Sequence, residues 1–290
     1  MTESPKPDNA QQRNAPSYAL PAQDIDFISN REELRGLRFA LEYYKADMIL
    51  QDWGVRSTII VFGSARIPSP ELAAARIAAA PPEGRARAEK LGAWMRYYEE
   101  ARAFARLVSE EGGALKPVHG QRDNVIATGG GPGIMEAANR GAHEAGAPSI
   151  GFNITLPGEQ EPNAYSTPDL TFRFHYFAMR KMHLAMRARA LAVFPGGFGT
   201  MDELFEILTL QQTRKVTTTP VVLVGKDYWN SVINFDAMID SGLIEAADLG
   251  IFDIVDTGPE AWNALKARGL KPASARSGKM SRRPGLPEQA

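Results

Sequence analysis

Short apolar runs alternate with segments of helical period along most of the chain. Thr58 to Phe62 (TIIVF) reads as a buried strand ending at Gly63-Ser64, and Asn124 to Thr128, Ser149 to Asn153, Leu191 to Phe194 and Pro220 to Val224 repeat the pattern. Each is followed by turn residues or by an amphipathic stretch. Thr171 to Tyr176 (TFRFHY) alternates as a half-exposed strand does, and Ile251 to Val255 predicts one more strand near the end. Ahead of the first strand, Arg31 to about Trp53 predicts a helix with Leu34, Leu37, Phe39, Leu41, Tyr44 and Met48 on a broad apolar stripe. The Ala/Arg/Glu-rich region up to Glu111, broken at Pro81-Pro82, predicts two helices in succession. Strand, turn, helix and strand at this spacing predict an α/β protein, a parallel sheet with helices on both faces. Ligands in such sheets sit beyond the carboxyl ends of the strands.

With 290 residues, 44% hydrophobic and 23% charged, the chain can bury a large core. Its 33 Lys+Arg against 34 Asp+Glu give a net charge of -1, so no overall basic field draws it to nucleic acid or anionic lipid, and a small-molecule partner is expected. The absence of cysteine excludes disulfides, thiolate nucleophiles and Cys-based metal sites, and fits a reducing compartment. The opening residues MTESPKPDNAQQRN contain no apolar signal core, and no run of about 18 apolar residues could span a bilayer. A cytoplasmic location is expected, with no membrane partner. Residues 1–30, with Pro5, Pro7, Pro16 and Pro21 among polar residues, predict a flexible N-terminal arm. Residues 31–270 predict a single domain, made of the helix over 31–53 and a core over 57–268, and residues 271–290 a basic flexible tail.

Three strand ends carry candidate chemistry. The first strand runs into Gly63, Ser64 and Arg66, whose exposed amides and guanidinium suit an anion or a base edge, although Gly63 could equally serve only the turn. The second, NVIATGGGPGIMEAANRGA, leads from a strand through Gly129, Gly130, Gly131 and Gly133 into a helix, which aims unpaired N–H groups at one point as a phosphate cradle does. No Gly-Lys-Ser/Thr follows, so it is not a P-loop. Ile134 replaces the last glycine of G-x-G-x-x-G, and SIGFN supplies no acidic ribose ligand further on, so dinucleotide binding is disfavoured. The bland alternative is that these glycines only allow close strand–helix packing. The third, LAVFPGGFGTMDELFEIL, frees the amides of Gly196, Gly197 and Gly199 and adds the Thr200 hydroxyl. Asp202 and Glu203 follow in the next turn. Thr200-x-x-Glu203 reads either as a capping box or as a site in which Glu203 faces a sugar. Just upstream, Arg180, His183 and Arg187 fall at i, i+3 and i+7 and read either as a solvated basic face or as cations reaching the same rim.

Taken together, TGGGPGIMEAANRGA, Met179-Arg180-Lys181 and PGGFGTMDE (Pro195 to Glu203) resemble the LONELY GUY (LOG) family, often labelled "possible lysine decarboxylase". The resemblance covers roughly Thr58 to Lys226. It implies a Rossmann-like three-layer sandwich with a mostly parallel sheet and helices on both faces, assembled as a homodimer or higher homo-oligomer. It also implies cleavage of the N-glycosidic bond of a nucleoside 5′-monophosphate, AMP or a cytokinin-type nucleotide, to free base and ribose 5-phosphate. Carried over by position, Arg180 and Glu203 are the catalytic residues, and Gly130, Gly131, Gly133, Gly196, Gly197, Gly199 and Thr200 bind the phosphate. Gly63, Ser64, Arg66, Lys181 and Asp202 are further expected contacts to substrate. Phe198 and Asp202 occupy variable positions of the motif, the segment from Pro68 to Gly113 is longer than in compact members, and both tails are extra. No cofactor or metal is expected: His119, His143, His175 and His183 form no HExxH-like set, and only an ordinary Lys181 is available for the pyridoxal-phosphate Schiff base that a decarboxylase needs. A non-catalytic nucleotide sensor is the rival reading, and a dinucleotide oxidoreductase is opposed by the fingerprint mismatches.

Overall fold

A computed structural model describes residues 20, 24–156, 161–213 and 219–271. Most of the expected arm and nearly all of the expected basic tail therefore lie outside the described residues. Among the described residues, β1 (Thr58–Phe62), β2 (Val125–Thr128), β3 (Ser149–Ile154), β4 (Thr171–Phe174), β5 (Ala188–Val193), β6 (Val221–Val224) and β7 (Phe252–Val255) form one sheet in the order β4-β3-β2-β1-β5-β6-β7. Every pairing is parallel, so the sheet is wholly rather than mostly parallel. The central strands read as unbroken apolar runs because both of their faces are covered. Edge strand β4 alternates, burying Phe172 and Phe174 and exposing Arg173.

The helices preceding and following β1 depart from the pattern-based boundaries. Ile25–Asn30, expected within the arm, is a short helix (α1) whose N-cap Asp24 accepts from Phe27 N at 2.9 Å. A turn at Glu32–Leu34 then leads into α2 (Arg35–Asp52). The region to Glu111 holds three helices rather than two. Ser69 caps α3 (Pro70–Ala79), Pro81-Pro82 opens α4 (Pro82–Gly92), and a turn at Ala93-Trp94 starts α5 (Met95–Glu111). Proline in the first turn is preorganised for a helix, so Pro81-Pro82 restarts a helix as well as ending one. The remaining helices are α6 (Ile134–Glu144), α7 (Phe177–Met186), α8 (Phe198–Gln212), α9 (Lys226–Val232), α10 (Phe235–Asp240) and α11 (Gly258–Ala267).

Two apolar clusters fill the space above and below the sheet. Ile59 and Val61 of β1 pack with Tyr98, Phe104 and Val108 of α5, Ile134 and Ala138 of α6, and Trp262 and Leu265 of α11. The alternate β1 residues Ile60 and Phe62 pack on the other face with Leu50 of α2, Leu184 of α7, Leu204 of α8 and Trp229 of α9. This is a three-layer, Rossmann-like sandwich. The chain moves outward from β1 through β4, then crosses to β5 and moves the other way. The change of direction falls between β1 and β5, and beyond their carboxyl ends it leaves a crevice.

Helix α2 is apolar on two sides. Ala46 and Leu50 are buried, with Phe39 and Tyr43 half-buried beside them, whereas Leu37, Leu41, Tyr44 and Met48 face solvent. The single stripe expected from the sequence thus merges two faces, only one of which meets the core. On the inner side Asp47 Oδ1 accepts from Arg187 Nη2 at 2.6 Å, both groups being buried, and this pair ties α2 to the turn between α7 and β5. Removing one partner of such a pair strands the other charge at a cost of about 3–5 kcal/mol. Asp47→Ala is therefore expected to lower unfolding stability by that amount, read as the shift of a urea denaturation midpoint.

Candidate functional site

Three strand ends meet through one residue. Beyond β1, Ser64 N donates to Pro195 O (3.0 Å) after β5, and Ser64 O accepts from Ile134 N (3.1 Å) at the start of α6. Gly63 has no side chain because a Cβ there would stand 2.6 Å from the Ile134 side chain. Gly133 has φ +73°, and its added Cβ would collide with Ser64 O. Packing thus explains these two glycines, while the turn they permit keeps the crevice narrow. Arg66 lies in the turn beyond, its N–H donating to Ser64 Oγ at 3.1 Å and its side chain exposed.

The first glycine loop is braced from beneath by a polar network. Gly130 N donates to Thr128 Oγ1 (2.9 Å), and Thr128 Oγ1 in turn donates to Asn139 Oδ1 (2.8 Å). Asn163 N donates to Gly130 O (2.9 Å), and Asn163 Nδ2 to Gly131 O (3.1 Å). Gly130, at φ +71°, lies directly on the Asn153 carboxamide, whose Nδ2 is buried with no hydrogen-bond partner among the described residues. The Gly130 amide is accordingly engaged inside the protein rather than open to a ligand.

The second turn is the open one. Gly197 caps α8, its carbonyl accepting from Thr200 N and Met201 N at 3.0 Å each. A Cβ on Gly197 or Gly199 would meet nothing within 4 Å, so this turn borders open space at the start of α8. The Phe198 and Gly199 amides lack intrahelical partners and sit at the positive end of a 15-residue helix, which suits an anion. Gly196 is shaped by the opposite constraint, since a Cβ would strike the buried Thr200 hydroxyl. Its carbonyl accepts from the Tyr228 hydroxyl of α9. Trp94 meets Tyr228 edge-on, with ring centroids 5.6 Å apart, so the long segment from Pro68 to Gly113 reaches back to this turn.

Above the turns lies a buried pair of opposite charges. Arg180 projects from α7 and Glu203 from α8, with Nη2 and Oε1 3.5 Å apart. Helix α8 begins at Phe198 with no side-chain cap, so the capping box of Thr200 and Glu203 does not form and the Glu203 carboxylate turns to Arg180. Burial pushes the Glu203 carboxyl above the usual range, against the pull of the Lys181 and Arg180 charges. Burial likewise lowers Arg180, with Glu203 opposing. The Arg180 Nε is buried without a hydrogen-bond partner among the described residues, and Nη1 lies beside Gly129. Arg180 therefore spans from the first glycine loop to Glu203.

Lys181 and Asp202 occupy a different place. Lys181 Nζ bridges Asp202 (2.8 Å) and Glu206 (2.9 Å), latching α7 to α8. An open groove of about 570 Å³ lies along this outer side, walled by Lys181, Phe198, Met201, Asp202, Phe205 and Glu206, and neither Arg180 nor Glu203 lines it. Phe198 is 96% exposed at the start of α8. His183 and Arg187 do not join Arg180 at the rim: His183 is buried among Tyr43, Phe152 and Phe174, and Arg187 is held by Asp47. The helix ends at Met186, which sets Arg187 off the face shared by Arg180 and His183. Tyr228, Asn153 and Asn163 were not expected at the site. Asn153 alone left a signal in the sequence, as an amide closing an otherwise apolar strand.

Among the described residues, the arrangement defines a protein of the Rossmann-like class with an open helix N-terminus and a buried Arg–Glu pair at the switch of strand direction. Residues 135–265 match the family described as "Possible lysine decarboxylase", a span that includes Arg180, Glu203 and the second glycine turn but begins after Gly133. The "Probable cytokinin riboside 5'-monophosphate phosphoribohydrolase LOG4" of Oryza sativa subsp. japonica is 30% identical over 146 residues, covering 49% of this chain and 62% of that protein. The "Cytokinin riboside 5'-monophosphate phosphoribohydrolase LOG5" of Arabidopsis thaliana is 27% identical over 155 residues, covering 51% of this chain and 64% of that protein. The chain thus spans less than two thirds of the length of these relatives. Among solved structures, the molybdenum cofactor binding protein from Rippkaea orientalis is 19% identical with a TM-score of 0.43, covering 73% of this chain and 98% of that one. Over these spans the chain is similar to the LOG family. Among the described residues no helix is long and apolar enough to cross a membrane.

The Gly133 contact is testable apart from any reaction. A side chain in that backbone region costs about 1–3 kcal/mol before the collision with Ser64 O is added. Gly133→Ala is expected to destabilise the protein by at least that much in chemical denaturation, whereas Gly197→Ala, which meets open space, leaves the midpoint nearly unchanged.

Proposed function

We propose that the chain is a phosphoribohydrolase that cleaves the N-glycosidic bond of a nucleoside 5′-monophosphate, AMP or a cytokinin-type nucleotide, to free base and ribose 5-phosphate. The observation that carries this reading is the buried Arg180–Glu203 pair beside the open glycine turn, with Glu203 released from helix capping. A module that only holds a phosphate has no use for a carboxylate buried next to its anion site. The names of the relatives support the same reaction class.

In this mechanism the 5′-phosphate docks at the amides that open α8, near Gly197, Gly199 and the Thr200 hydroxyl. Binding energy gathered there fixes the ribose over Glu203. As the C–N bond breaks, positive charge grows on the ribose ring, as in glycoside hydrolysis. The Glu203 carboxylate faces that charge in a site where water screens little, and it orients the attacking water or a ribose hydroxyl. Arg180 keeps the carboxylate in place and favours its ionised form, and its unpaired Nε is a donor available to the ligand.

The test is release of base from a panel of nucleoside 5′-monophosphates, with the matching unphosphorylated nucleosides as controls. Wild type is expected to cleave only the phosphorylated compounds. Glu203→Gln is expected to lower kcat by about 10²–10⁴ while nucleotide binding persists. Binding without cleavage by the wild type would replace the hydrolase with a nucleotide sensor.

The charge environment predicts the pH profile. Glu203 must be ionised to act, and burial raises its pKa, so kcat/KM falls on the acid side at a pH above the usual glutamate value of 4.5. The Lys181 charge favours the carboxylate. Lys181→Met is therefore expected to move the acid limb to higher pH than in wild type, and comparing the two profiles on one substrate removes the substrate's own titration.

A further inference from the structure

We infer that Tyr228 is a positioning residue of the second glycine turn, its hydroxyl orienting the Gly197 N–H toward the phosphate of the ligand. The Tyr228 hydroxyl donates to Gly196 O. The peptide joining Gly196 to Gly197 is planar and trans, so its carbonyl and its N–H point in opposite directions. A carbonyl fastened to Tyr228 therefore turns the Gly197 N–H away from α9. Among the described residues that N–H has no hydrogen-bond partner, and neither do the Phe198 and Gly199 amides that follow. Three successive amides are thus left for an anion on a turn that borders open space. With glycine at 196, 197 and 199 the backbone sets little of this orientation by itself. Contacts set it instead. Among the described residues, Pro195 O is held by Ser64 N, and Gly197 O by Thr200 N and Met201 N, all of them backbone donors. Gly196 O, between them, depends on the Tyr228 side chain.

Tyr228 is itself firmly placed. Burial raises its pKa against the pull of the Gly196 carbonyl, so the phenol stays protonated and remains a donor. Helix α9 has only seven residues, and its seat is built by α5 and the turn before it. Trp94 meets the Tyr228 ring edge-on at 5.6 Å and lies tilted against Tyr97 at the same distance. Gly225, the N-cap of α9 at φ +102°, sits so close to the Tyr97 ring that a Cβ would stand 2.7 Å from it. Next to Tyr228, Trp229 is fully buried, with its Nε1 donating to Val224 O at 3.0 Å. The segment from Pro68 to Gly113, which supplies Trp94 and Tyr97, thereby acts on the anion turn through Tyr228. This role rests on the phosphate docking proposed above and is independent of cleavage. A tyrosine that served only the fold would not distinguish a phosphorylated ligand from its unphosphorylated form.

The experiment titrates AMP and adenosine calorimetrically into Glu203→Gln protein, in which turnover is slowed, with and without Tyr228→Phe. Far-UV circular dichroism is the control for folding. Losing one hydrogen bond to a charged group, Tyr228→Phe is expected to weaken AMP binding by about ten- to a hundredfold and to leave adenosine binding unchanged. If both affinities fall together, or neither changes, the proposal is overturned. Should Tyr228→Phe fail to fold, Trp94→Leu carries the test, because it removes the edge contact and keeps the hydroxyl. A smaller loss confined to AMP supports the proposal, and an equal loss for both ligands, or none, rejects it. A Glu203→Gln parent with no preference for AMP over adenosine overturns the phosphate docking and the role of Tyr228 together. Failure of the wild type to cleave AMP, measured separately, overturns the hydrolase alone.

Discussion

The crevice depends on the peptide groups of Ser64. One donates across to the loop after β5 and the other accepts from the first amide of α6, so three strand ends are held by two hydrogen bonds at one residue. The residues around it follow from that closeness. Gly63 makes way for Ile134, Gly133 takes a conformation that side chains avoid, and the second turn is drawn in beside the first. Each bond alone contributes about 1 kcal/mol, but each leaves a buried polar group unsatisfied if it is broken. That penalty is what makes the geometry firm.

Two charges buried over this frame work against the solvation that charges prefer. Burial drives both Glu203 and Arg180 toward their neutral forms, and each is opposed by the charge of the other, with Lys181 also favouring the carboxylate and Asp202 the guanidinium. In the proposed reaction this balance suits a carboxylate that meets a developing cation, because a fully solvated one would be screened. Lys181 also fixes the distance between the helices carrying the pair, since its bridge to Asp202 and Glu206 spans α7 and α8 on the outer side. A residue with no place in the crevice thereby adjusts the protonation of one that has.

The sheet was legible because a parallel strand buried on both faces is written as an unbroken apolar run and an edge strand such as Thr171–Phe174 as an alternating one, and all seven segments became strands. The glycine turns and the Arg–Glu pair were legible from residue types with few other uses in that pattern. What escaped the sequence depended on partners distant along the chain. Arg187 looked like a companion of Arg180 until Asp47, 140 positions away, was found to hold it. Thr200 and Glu203 looked like a capping box, but the helix starts three residues earlier than a Thr200 cap would require. Tyr228 gave no signal, since an aromatic residue after a strand reads as core until its hydroxyl is seen on Gly196. The stripe on α2 could be recognised as apolar but not divided into a packed and an open side, because periodicity measures polarity without saying which wall each face meets.

Arg180 and Glu203 are only 23 positions apart, at either end of the stretch formed by α7, β5 and α8, whereas Ser64 meets Ile134 and Pro195 across much longer intervals. Closing a chain loop costs roughly 0.6 kcal/mol more for each doubling of its length. In order of assembly, the Arg180–Glu203 pair and the open turn at Gly197 and Gly199 are thus the local part of the candidate site, carried by one contiguous α–β–α unit. The first glycine loop and the turn after β1 are the distant part, brought against that unit by the two bonds of Ser64.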